Sequence, residues 1–347
     1  MARDDRRGHP HDDLHRGVDR LGRRPVRVLV VGGTEFISLH LVRALQREGH
    51  EVAVLNRGRR PERVPAGVRA IVADRTQHTA LARALAGQGF DAVYDVAYAP
   101  TTGEDVAALL DALGPGLRHA VFVSTGRVYD HALPLPLGEE TPRSLYWGEY
   151  AKHKIAGEDA LLERHRRRGL PVTLVRPTHV YGPLNTRNNE TFFFDRILRG
   201  RPVLVPGAGG WLRQFGHVED LADAMTAMLG EPRAAGQAYN VTGEEVITQV
   251  GFAELVAEVV GRPVTLVPFD PRLLPRVPPG PVFGQNLVYD CHAAYATGKL
   301  RAELGLRPRY TLGAGLAQTW EWYRKEGLDR RPVDFTTEDA LLALIRS

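Results

Sequence analysis

The chain has 347 residues, of which 43% are hydrophobic and 25% are charged, and its formal net charge is +4. This length supports one large α/β domain with a smaller lobe, and no stretch approaches the roughly 18 apolar residues that suggest a membrane span. The arginines are spread along the chain and interleaved with acids, so solvated faces are favoured over a nucleic-acid surface. Cys291 is the only cysteine, which excludes an internal disulfide and favours a cytoplasmic location.

Residues 1–25 form a polar segment, MARDDRRGHPHDDLHRGVDRLGRRP, with almost no apolar periodicity. This composition predicts a disordered tail. His9, His11 and His15 lie near two aspartates there, but nothing fixes a coordination geometry, so we expect no metal site. The folded part of the chain is therefore expected to begin at residue 26.

Strand patterns alternate with helix patterns from residue 26 onward. The predicted strands are VRVLVV, EVAVLN, VRAIVAD, FDAVYDVA, HAVFVST and PVTLVRP, and the main helices are predicted around residues 39–48, 81–86, 104–113 and 149–168. Such alternation is typical of a parallel sheet covered on both faces. We predict an α/β fold: a Rossmann-type doubly wound parallel sheet over residues 26–180, and a smaller C-terminal substrate-binding lobe over most of residues 181–347. Some late segments are expected to return to the Rossmann domain.

The first strand runs into a helix through the loop VGGTEFI, residues 31–37. Two glycines supply a tight turn, and Gly33 lets the backbone approach a pyrophosphate, at which the N–H groups of the helix point. Glu35 and Ser38 occupy positions where such loops usually have glycine. The residues assigned to a dinucleotide here are Gly32, Gly33, Thr34, Glu35, Phe36 and Ile37.

The end of the second strand, Asn56 followed by Arg57, is expected to contact the cofactor ribose. An acid there binds the 2′-hydroxyl of NAD, whereas an arginine accommodates the 2′-phosphate of NADP. Arg57 alone favours NADP, while a carboxylate at Glu35 would repel a 2′-phosphate. We therefore expect NAD, with NADP as the alternative, and we assign Asp74 to the adenine amine or to a turn.

The pair Tyr150 and Lys154 carries the predicted chemistry. The two residues are four positions apart, so they lie on one face of a helix. A nearby ammonium favours the phenolate form of a tyrosine, which allows Tyr150 to act as general acid or base near neutral pH. Thr125, at the end of the fifth strand, is expected to hydrogen-bond the same substrate oxygen while a nicotinamide exchanges hydride with the carbinol carbon. Thr125, Tyr150 and Lys154 are the predicted catalytic residues.

The ordered motifs of the chain resemble those of the extended short-chain dehydrogenase/reductases, of the NAD-dependent epimerase/dehydratase type. The resemblance extends from about residue 26 to residue 328. The matching segments are VGGTxFI, VST, YxxxK, RPTHVYGP, RGRPVLVPGAGG, RQFGHVEDLADA and YNVTGEE.

This resemblance implies several further site residues. Lys154 would also hold the nicotinamide ribose, with Ala97 and Pro177 beside the cofactor. Arg213 is similar to an arginine that binds a substrate diphosphate, which suits its planar guanidinium; a salt bridge to Glu219 or Asp220 is the alternative. The remaining predicted substrate contacts are Arg127 and Asn185, the latter in a loop reaching Asn189.

The chain also differs from the family pattern at positions that bear on function. Gly126 and Arg127 stand where the sugar-nucleotide 4,6-dehydratases of this superfamily have Asp and Glu, which argues against their usual elimination chemistry. Cys291 lies far along the chain, so we expect no cysteine near the site. Three adjacent aromatics, residues 192–194, are expected in the core rather than against a base.

The expected function is an epimerase/dehydratase-type oxidoreductase that acts on a sugar nucleotide or a nucleoside sugar through a transient keto intermediate. A ketoreductase using NADPH is the alternative, and an RNA-binding member of the same fold is a lesser one, because some members with a side chain at the position of Glu35 bind RNA. The family habit implies a homodimer through the helices at residues 104–113 and 149–168.

Overall fold

A computed structural model describes residues 25–97, 101–185, 187, 189–284 and 291–346. The predicted tail lies outside these residues, apart from Pro25. Within the described ranges, no helix combines the length and the apolar character needed to cross a bilayer.

The centre of the molecule is a seven-stranded parallel sheet. Its strands are β1 (Arg27–Val31), β2 (Glu51–Asn56), β3 (Arg69–Val72), β4 (Ala92–Asp95), β5 (His119–Val123), β6 (Val172–Pro177) and β10 (Gln237–Val241). They lie in the order β10-β6-β5-β4-β1-β2-β3. All six strands expected from the sequence are in this sheet, so the predicted doubly wound α/β fold is confirmed.

Helices cover both faces of this sheet because its strands are apolar on both sides. Along β1, Val28 and Val30 pack towards one face and Leu29 and Val31 towards the other, all of them buried. The first face is covered by α1 (Phe36–Arg47), α6 (Val218–Ala227) and α8 (Gly298–Leu304), and the second by α2 (His78–Leu85), α3 (Gly103–Leu113) and α4 (Gly148–Arg168).

The seventh strand, β10, ends with the first three residues of the segment YNVTGEE, which was not assigned to the sheet from the sequence. It pairs in parallel with β6, with Tyr239 opposite Val175. Tyr239 is fully buried and its hydroxyl donates to Glu303 at 2.7 Å. This short edge strand contains polar residues, so it lacks the continuous apolar run by which the other strands were predicted.

The rest of the later chain forms two small sheets with their own core. The small strands are β7 (His179–Tyr181), β9 (Leu212–His217) and β11 (Val246–Thr248) in one sheet, and β8 (Val203–Pro206) with β12 (Leu266–Phe269) in the other. Around them pack α5 (Glu190–Leu198), α7 (Gln249–Val260), α9 (Leu312–Lys325) and α10 (Thr336–Arg346). The three adjacent phenylalanines of α5 are fully buried, as expected. The boundary at residue 180 and the substrate-binding role of this lobe stay predictions.

Candidate active site

A cleft of about 840 Å³ opens at the carboxyl ends of the parallel strands. It lies where the strand order reverses beside β1, the place where open α/β sheets bind ligands. Of the predicted site residues, those that line it are Gly32, Thr34, Glu35, Phe36, Ile37, Asn56, Arg57, Asp74, Ala97, Thr125, Arg127, Tyr150, Lys154, Pro177 and Arg213. Gly33 and Asn185 are not among the residues that line it. The roles of all these residues remain predictions, but most of them share one cavity.

The packing of the loop after β1 shows how it accommodates Ser38 where similar loops usually have glycine. Gly33 has a φ of +87°, and a Cβ there would lie 2.2 Å from the side chain of Val54. This glycine therefore allows the loop to pack on β2, and its predicted contact with a pyrophosphate stays a prediction. A Cβ on Gly32 would lie at an ordinary 3.4 Å from Ser38, and the Ser38 hydroxyl donates to the carbonyl of Glu35 at 2.8 Å.

The start of α1 fits the pyrophosphate of a dinucleotide. Helix α1 begins at Phe36, with no side-chain cap from Glu35 and no acid in its first turn. Free N–H groups at a helix N-terminus attract phosphate. Phe36 itself has a φ of +33°, and residues other than glycine rarely adopt a positive φ. This backbone strain is stored in the loop that lines the cleft.

One end of the cleft, here called the β2 end, is lined by Glu35, Asn56, Arg57, Arg59, Arg60 and Asp74. The carboxylate of Glu35 lies 2.5 Å from the guanidinium of Arg60 and 3.9 Å from that of Arg63. Its charge is thus partly compensated, which weakens the expectation that it repels a 2′-phosphate. Asn56 accepts a hydrogen bond from Gly58 N at 2.8 Å. Asp74 accepts two from Thr76, which lower the pKa of its carboxyl.

The three predicted catalytic residues all line the cleft. Tyr150 is in the first turn of α4 and Lys154 one turn later. The Nζ of Lys154 donates to the carbonyl of Val123, the last residue of β5, at 2.8 Å and to that of Ala97, two residues after β4, at 3.3 Å. The Oγ1 of Thr125 accepts a hydrogen bond from Arg127 N at 3.2 Å, so its own proton is left to donate to a substrate oxygen.

Burial shifts the protonation of Lys154. The side chain is enclosed by protein, and this desolvation lowers its pKa to about 8, although Asp95 acts in the opposite direction. Asp95 is itself buried in an ion pair with Arg75, at 2.6 Å. A buried lysine whose pKa is lowered, lining a cleft together with a tyrosine, is typical of functional sites.

The opposite half of the cleft, here called the lobe half, is lined by Arg127, His179, Arg187, Arg213 and Tyr295. Arg213 is almost fully buried, and its Nη1 donates to the carbonyls of Leu212 at 2.8 Å and Cys291 at 2.6 Å. The guanidinium of Arg127 lies 4.6 Å from the ring centre of Trp147. This half is therefore basic and aromatic.

Comparisons with known proteins agree with this geometry. The sequence profile of the NAD-dependent epimerase/dehydratase family matches residues 28–242. The chain is 32% identical over 336 residues to the chloroplast stem-loop binding protein of 41 kDa b of Arabidopsis thaliana, covering 91% of this chain and 84% of that protein. It is 30% identical over 327 residues to a dTDP-glucose 4,6-dehydratase of Streptomyces niveus, covering 86% and 93%.

A solved structure adds the three-dimensional match. The UDP-glucose 4-epimerase of Thermus thermophilus, in complex with NAD, superposes with a TM-score of 0.71 at 27% identity and covers 86% of this chain and 99% of that one. The chain belongs to the NAD-dependent epimerase/dehydratase family. The protein is accordingly an enzyme with a Rossmann-type fold.

Two expectations about the site residues need correction. Cys291 was expected away from the site, yet it lines the cleft, because the segment after residue 290 folds back onto β9. Asn185 does not line the cleft: its amide donates to both carboxylate oxygens of buried Glu190, at 3.2 and 3.0 Å. Asn189 lines the cleft in its place.

The alternative predicted for Arg213 was a salt bridge to Glu219 or Asp220 of α6. Both of these acids have other partners. Asp220 accepts hydrogen bonds from the backbone of Arg309 and Tyr310, at 3.0 and 3.2 Å. Glu219 accepts one from the hydroxyl of Tyr310 at 2.7 Å. Both acids thus hold the segment before α9 against α6, and Arg213 remains part of the cleft wall.

Gly126 shows why the acid of the 4,6-dehydratases is missing here. A Cβ on Gly126 would lie 2.6 Å from the ring of buried Tyr295. The ring occupies the space into which an aspartate side chain would extend. The sequence alone shows the substitution, but only the fold shows that Tyr295, far along the chain, fills the gap.

Two polar residues of the cleft were not assigned a role of their own from the sequence, although Asn189 ends the predicted substrate loop. The buried hydroxyl of Ser124 and the buried Oδ1 of Asn189 have no hydrogen-bond partner among the described residues, and both residues line the cleft. Buried polar atoms of this kind are normally satisfied, so a ligand is expected to complete them. The motif VST contained the signal for Ser124. Arg187 lies within the predicted substrate loop, whereas no local pattern in the sequence indicated Tyr295.

Proposed function

We propose that this epimerase/dehydratase oxidises a secondary hydroxyl of a sugar nucleotide or nucleoside sugar to a transient ketone, and that the ketone is then reduced on the other face or undergoes elimination. The observation that carries the proposal is the convergence of Thr125, Tyr150 and Lys154 in one cleft with an uncapped helix N-terminus. The names of the dehydratase and the epimerase relatives support the substrate class.

The chain's own residues perform the proton transfer in this proposal. A bound nicotinamide supplies the hydride acceptor and donor. Tyr150 takes the hydroxyl proton of the substrate, Thr125 donates a hydrogen bond to the same oxygen, and the ammonium of Lys154 stabilises the phenolate. The carbonyls of Val123 and Ala97 hold Lys154 in place. Because Gly126 leaves no acid beside Thr125, epimerisation is favoured over the usual elimination.

The cofactor and its mode of use are tested by mass spectrometry of the small molecules released when the purified protein is denatured. Release of one NAD per chain supports a reaction that consumes no external reductant. Purified protein without NAD that oxidises NADPH with a keto sugar nucleotide supports the ketoreductase, which the arginines of the β2 end favour. The absence of both results would contradict the proposal.

RNA binding is a second candidate, since the relative with 32% identity is named a stem-loop binding protein. Retention of the three predicted catalytic residues argues for chemistry. The affinity for a stem-loop RNA, measured as a function of salt, separates the two. A steep fall in affinity with salt, combined with no binding of any sugar nucleotide, would replace the enzymatic proposal by the RNA-binding one.

The oligomeric state and the location are further proposals. The family habit supports a homodimer through α3 and α4, which pack against each other in this chain. Light scattering of the purified protein tests it, and a monomeric mass would contradict it. A cytoplasmic location is supported by the single cysteine and is tested by cell fractionation.

A further inference from the structure

A buried ion pair lies at the carboxyl ends of the parallel strands, where Lys154 is also held. Arg75 follows β3 at the edge of the sheet, and its Nη1 donates to Oδ1 of Asp95, the last residue of β4, at 2.6 Å. Two strands, β1 and β2, lie between β3 and β4, so the segment that carries Arg75 reaches across their ends. Both side chains are buried. Burying two charges costs free energy that their ion pair does not always recover, so stability alone does not account for this pair.

Asp95 also holds the backbone that receives the lysine. The same Oδ1 accepts a hydrogen bond from Ala97 N at 3.3 Å, which closes a turn of two residues directly after β4. The carbonyl of Ala97 in turn accepts a hydrogen bond from Nζ of Lys154 at 3.3 Å. Asp95 is thus joined to Lys154 through Ala97. Arg75 anchors the other side of Asp95.

Three charged groups act on Lys154 from the elements around it. Burial lowers its pKa most, Asp95 raises it, Arg75 lowers it, and the smallest effect is a rise due to Glu158, one turn later on α4. Both carboxylate oxygens of Glu158 accept hydrogen bonds from Arg176 of β6, at 2.9 and 2.7 Å. Asp95 is therefore the acid that contributes most to keeping Lys154 charged.

The other charged groups packed around the start of α4 face different partners. Asp105 of α3 lies 2.8 Å from Nε2 of His78, and Arg75 acts on it more weakly than this imidazole does. Arg127, which follows β5, has its guanidinium carbon 5.9 Å from the ring centre of Tyr150. The ion pair is thus the charged unit that connects the end of β4 to the lysine.

We propose that Arg75 and Asp95 are positioning residues for Lys154: the carboxylate orients the carbonyl that receives the ammonium and balances its charge, and the guanidinium holds the carboxylate in place. Asp95 is not among the residues that line the cleft, so it acts through Lys154 rather than on a substrate. This inference rests on the proposed function, in which the ammonium of Lys154 stabilises the phenolate of Tyr150.

The test is a direct titration of Lys154, which the small number of lysines makes possible. The sequence contains four lysines, at positions 152, 154, 299 and 325, so protein labelled with carbon-13 at lysine Cε gives four NMR signals. The variant Lys154→Arg identifies the signal of Lys154 by its loss. Because burial lowers the pKa of this lysine to about 8, the midpoint of its titration is expected near that pH in wild type.

Two variants shift this midpoint in opposite directions. Asp95→Asn keeps an oxygen that accepts the hydrogen bond from Ala97 and removes only the charge, so the midpoint is expected to fall by about 1 pH unit. Arg75→Gln removes the positive charge instead, and the midpoint is expected to rise. A general loosening of the structure would admit water and raise the midpoint in both variants towards the ordinary value of lysine. The fall in Asp95→Asn therefore separates positioning from a merely structural role.

Glu338→Gln is the matched control, because Glu338 is a buried acid whose ion pair with Arg196, at 2.6 Å, does not line the cleft. It is expected to leave the midpoint unchanged, and thermal unfolding checks that each variant is folded. If Asp95→Asn is unfolded, the double variant Arg75→Gln/Asp95→Asn takes its place. Its midpoint is expected below that of wild type, since Asp95 acts on Lys154 more strongly than Arg75 does.

The titration decides the inference without any assay of activity. An unchanged or raised midpoint in Asp95→Asn, or in the double variant that replaces it, overturns the inference, and so does a lowered midpoint in Arg75→Gln. Wild type whose bound cofactor is reduced by no sugar nucleotide would contradict the proposed function instead. The midpoints would then still decide whether the ion pair positions Lys154.

Discussion

The two ends of the cleft use arginine differently. At the β2 end, Arg60 pairs with Glu35, both side chains are about 47% exposed, and Arg57 and Arg59 are exposed as well. In the lobe half, Arg213 is 1% exposed and Arg127 packs on an aromatic ring. Exposed pairs contribute little free energy, whereas buried charges dominate local electrostatics. We therefore expect the β2 end to adjust the affinity for a cofactor and the lobe half to select the substrate.

The largest effect is expected at Tyr150, which also lines the cleft and on which the proposed chemistry depends. Tyr150→Phe removes the phenolic proton carrier and leaves the ring that Arg127 faces. We expect catalytic activity to fall by about 10²- to 10⁴-fold, the range for loss of a general acid–base group. The measurement is the rate at which bound cofactor is reduced by added sugar nucleotide, followed by its absorbance.

Tyr146→Phe is the control for that variant. Tyr146 is exposed and contacts His131 and Trp147, but it does not line the cleft. It is expected to retain activity close to that of wild type. Full activity in Tyr150→Phe would remove Tyr150 from the chemistry and with it the mechanism.

The ammonium of Lys154 gives the second prediction, a pH dependence. Because burial lowers its pKa to about 8, Lys154 is charged below that pH and neutral above it. Activity that needs the ammonium is therefore expected to fall as the pH rises through about 8. The check is the pH profile of cofactor reduction.

Lys154→Arg supplies the comparison, since a guanidinium stays charged across this range. Its residual activity is expected to lack the alkaline fall. An identical alkaline fall in this variant would assign the titration to another group.

The contact between Gly126 and Tyr295 gives the third prediction, on stability. Gly126→Ala places a methyl group against a buried ring, which is expected to lower the free energy of unfolding by about 1–3 kcal/mol. Denaturant unfolding measures the change. Gly138→Ala is the control, because its Cβ would lie 4.0 Å from the nearest side chain.

A double variant makes that result specific. In a Tyr295→Ala background the cost of Gly126→Ala is expected to shrink towards zero, because the opposing ring is gone. An equal cost in both backgrounds would mean that backbone effects, not the ring, exclude a side chain at this position.

The sequence predicted those parts of the molecule that local patterns encode. Buried apolar runs identified six strands of the parallel sheet, and the four-residue spacing identified Tyr150 and Lys154. Local patterns could not predict which distant segments meet in the fold. Cys291 and Tyr295 line the cleft because a segment late in the chain folds back onto it. Gly33 also depended on tertiary packing, since only the fold places Val54 against it.

The last and smallest prediction concerns the β2 end. Glu35→Gln removes the carboxylate that holds Arg60, so this arginine becomes available to a 2′-phosphate. An exposed ion pair is worth about 0.2–1 kcal/mol, so the affinity for NADP relative to NAD is expected to rise by no more than about fivefold. Cofactor-free protein titrated with each dinucleotide measures the ratio.

Glu62→Gln is the matched control for this ratio, because Glu62 is an exposed acid beside Arg63 that does not line the cleft. It is expected to leave the ratio unchanged. A fall of the ratio in Glu35→Gln would mean that Glu35 positions Arg60 for the phosphate instead of withholding it. A change much larger than fivefold would show that the β2 end selects its ligand as strongly as the lobe half, and the contrast between exposed and buried arginines would no longer hold.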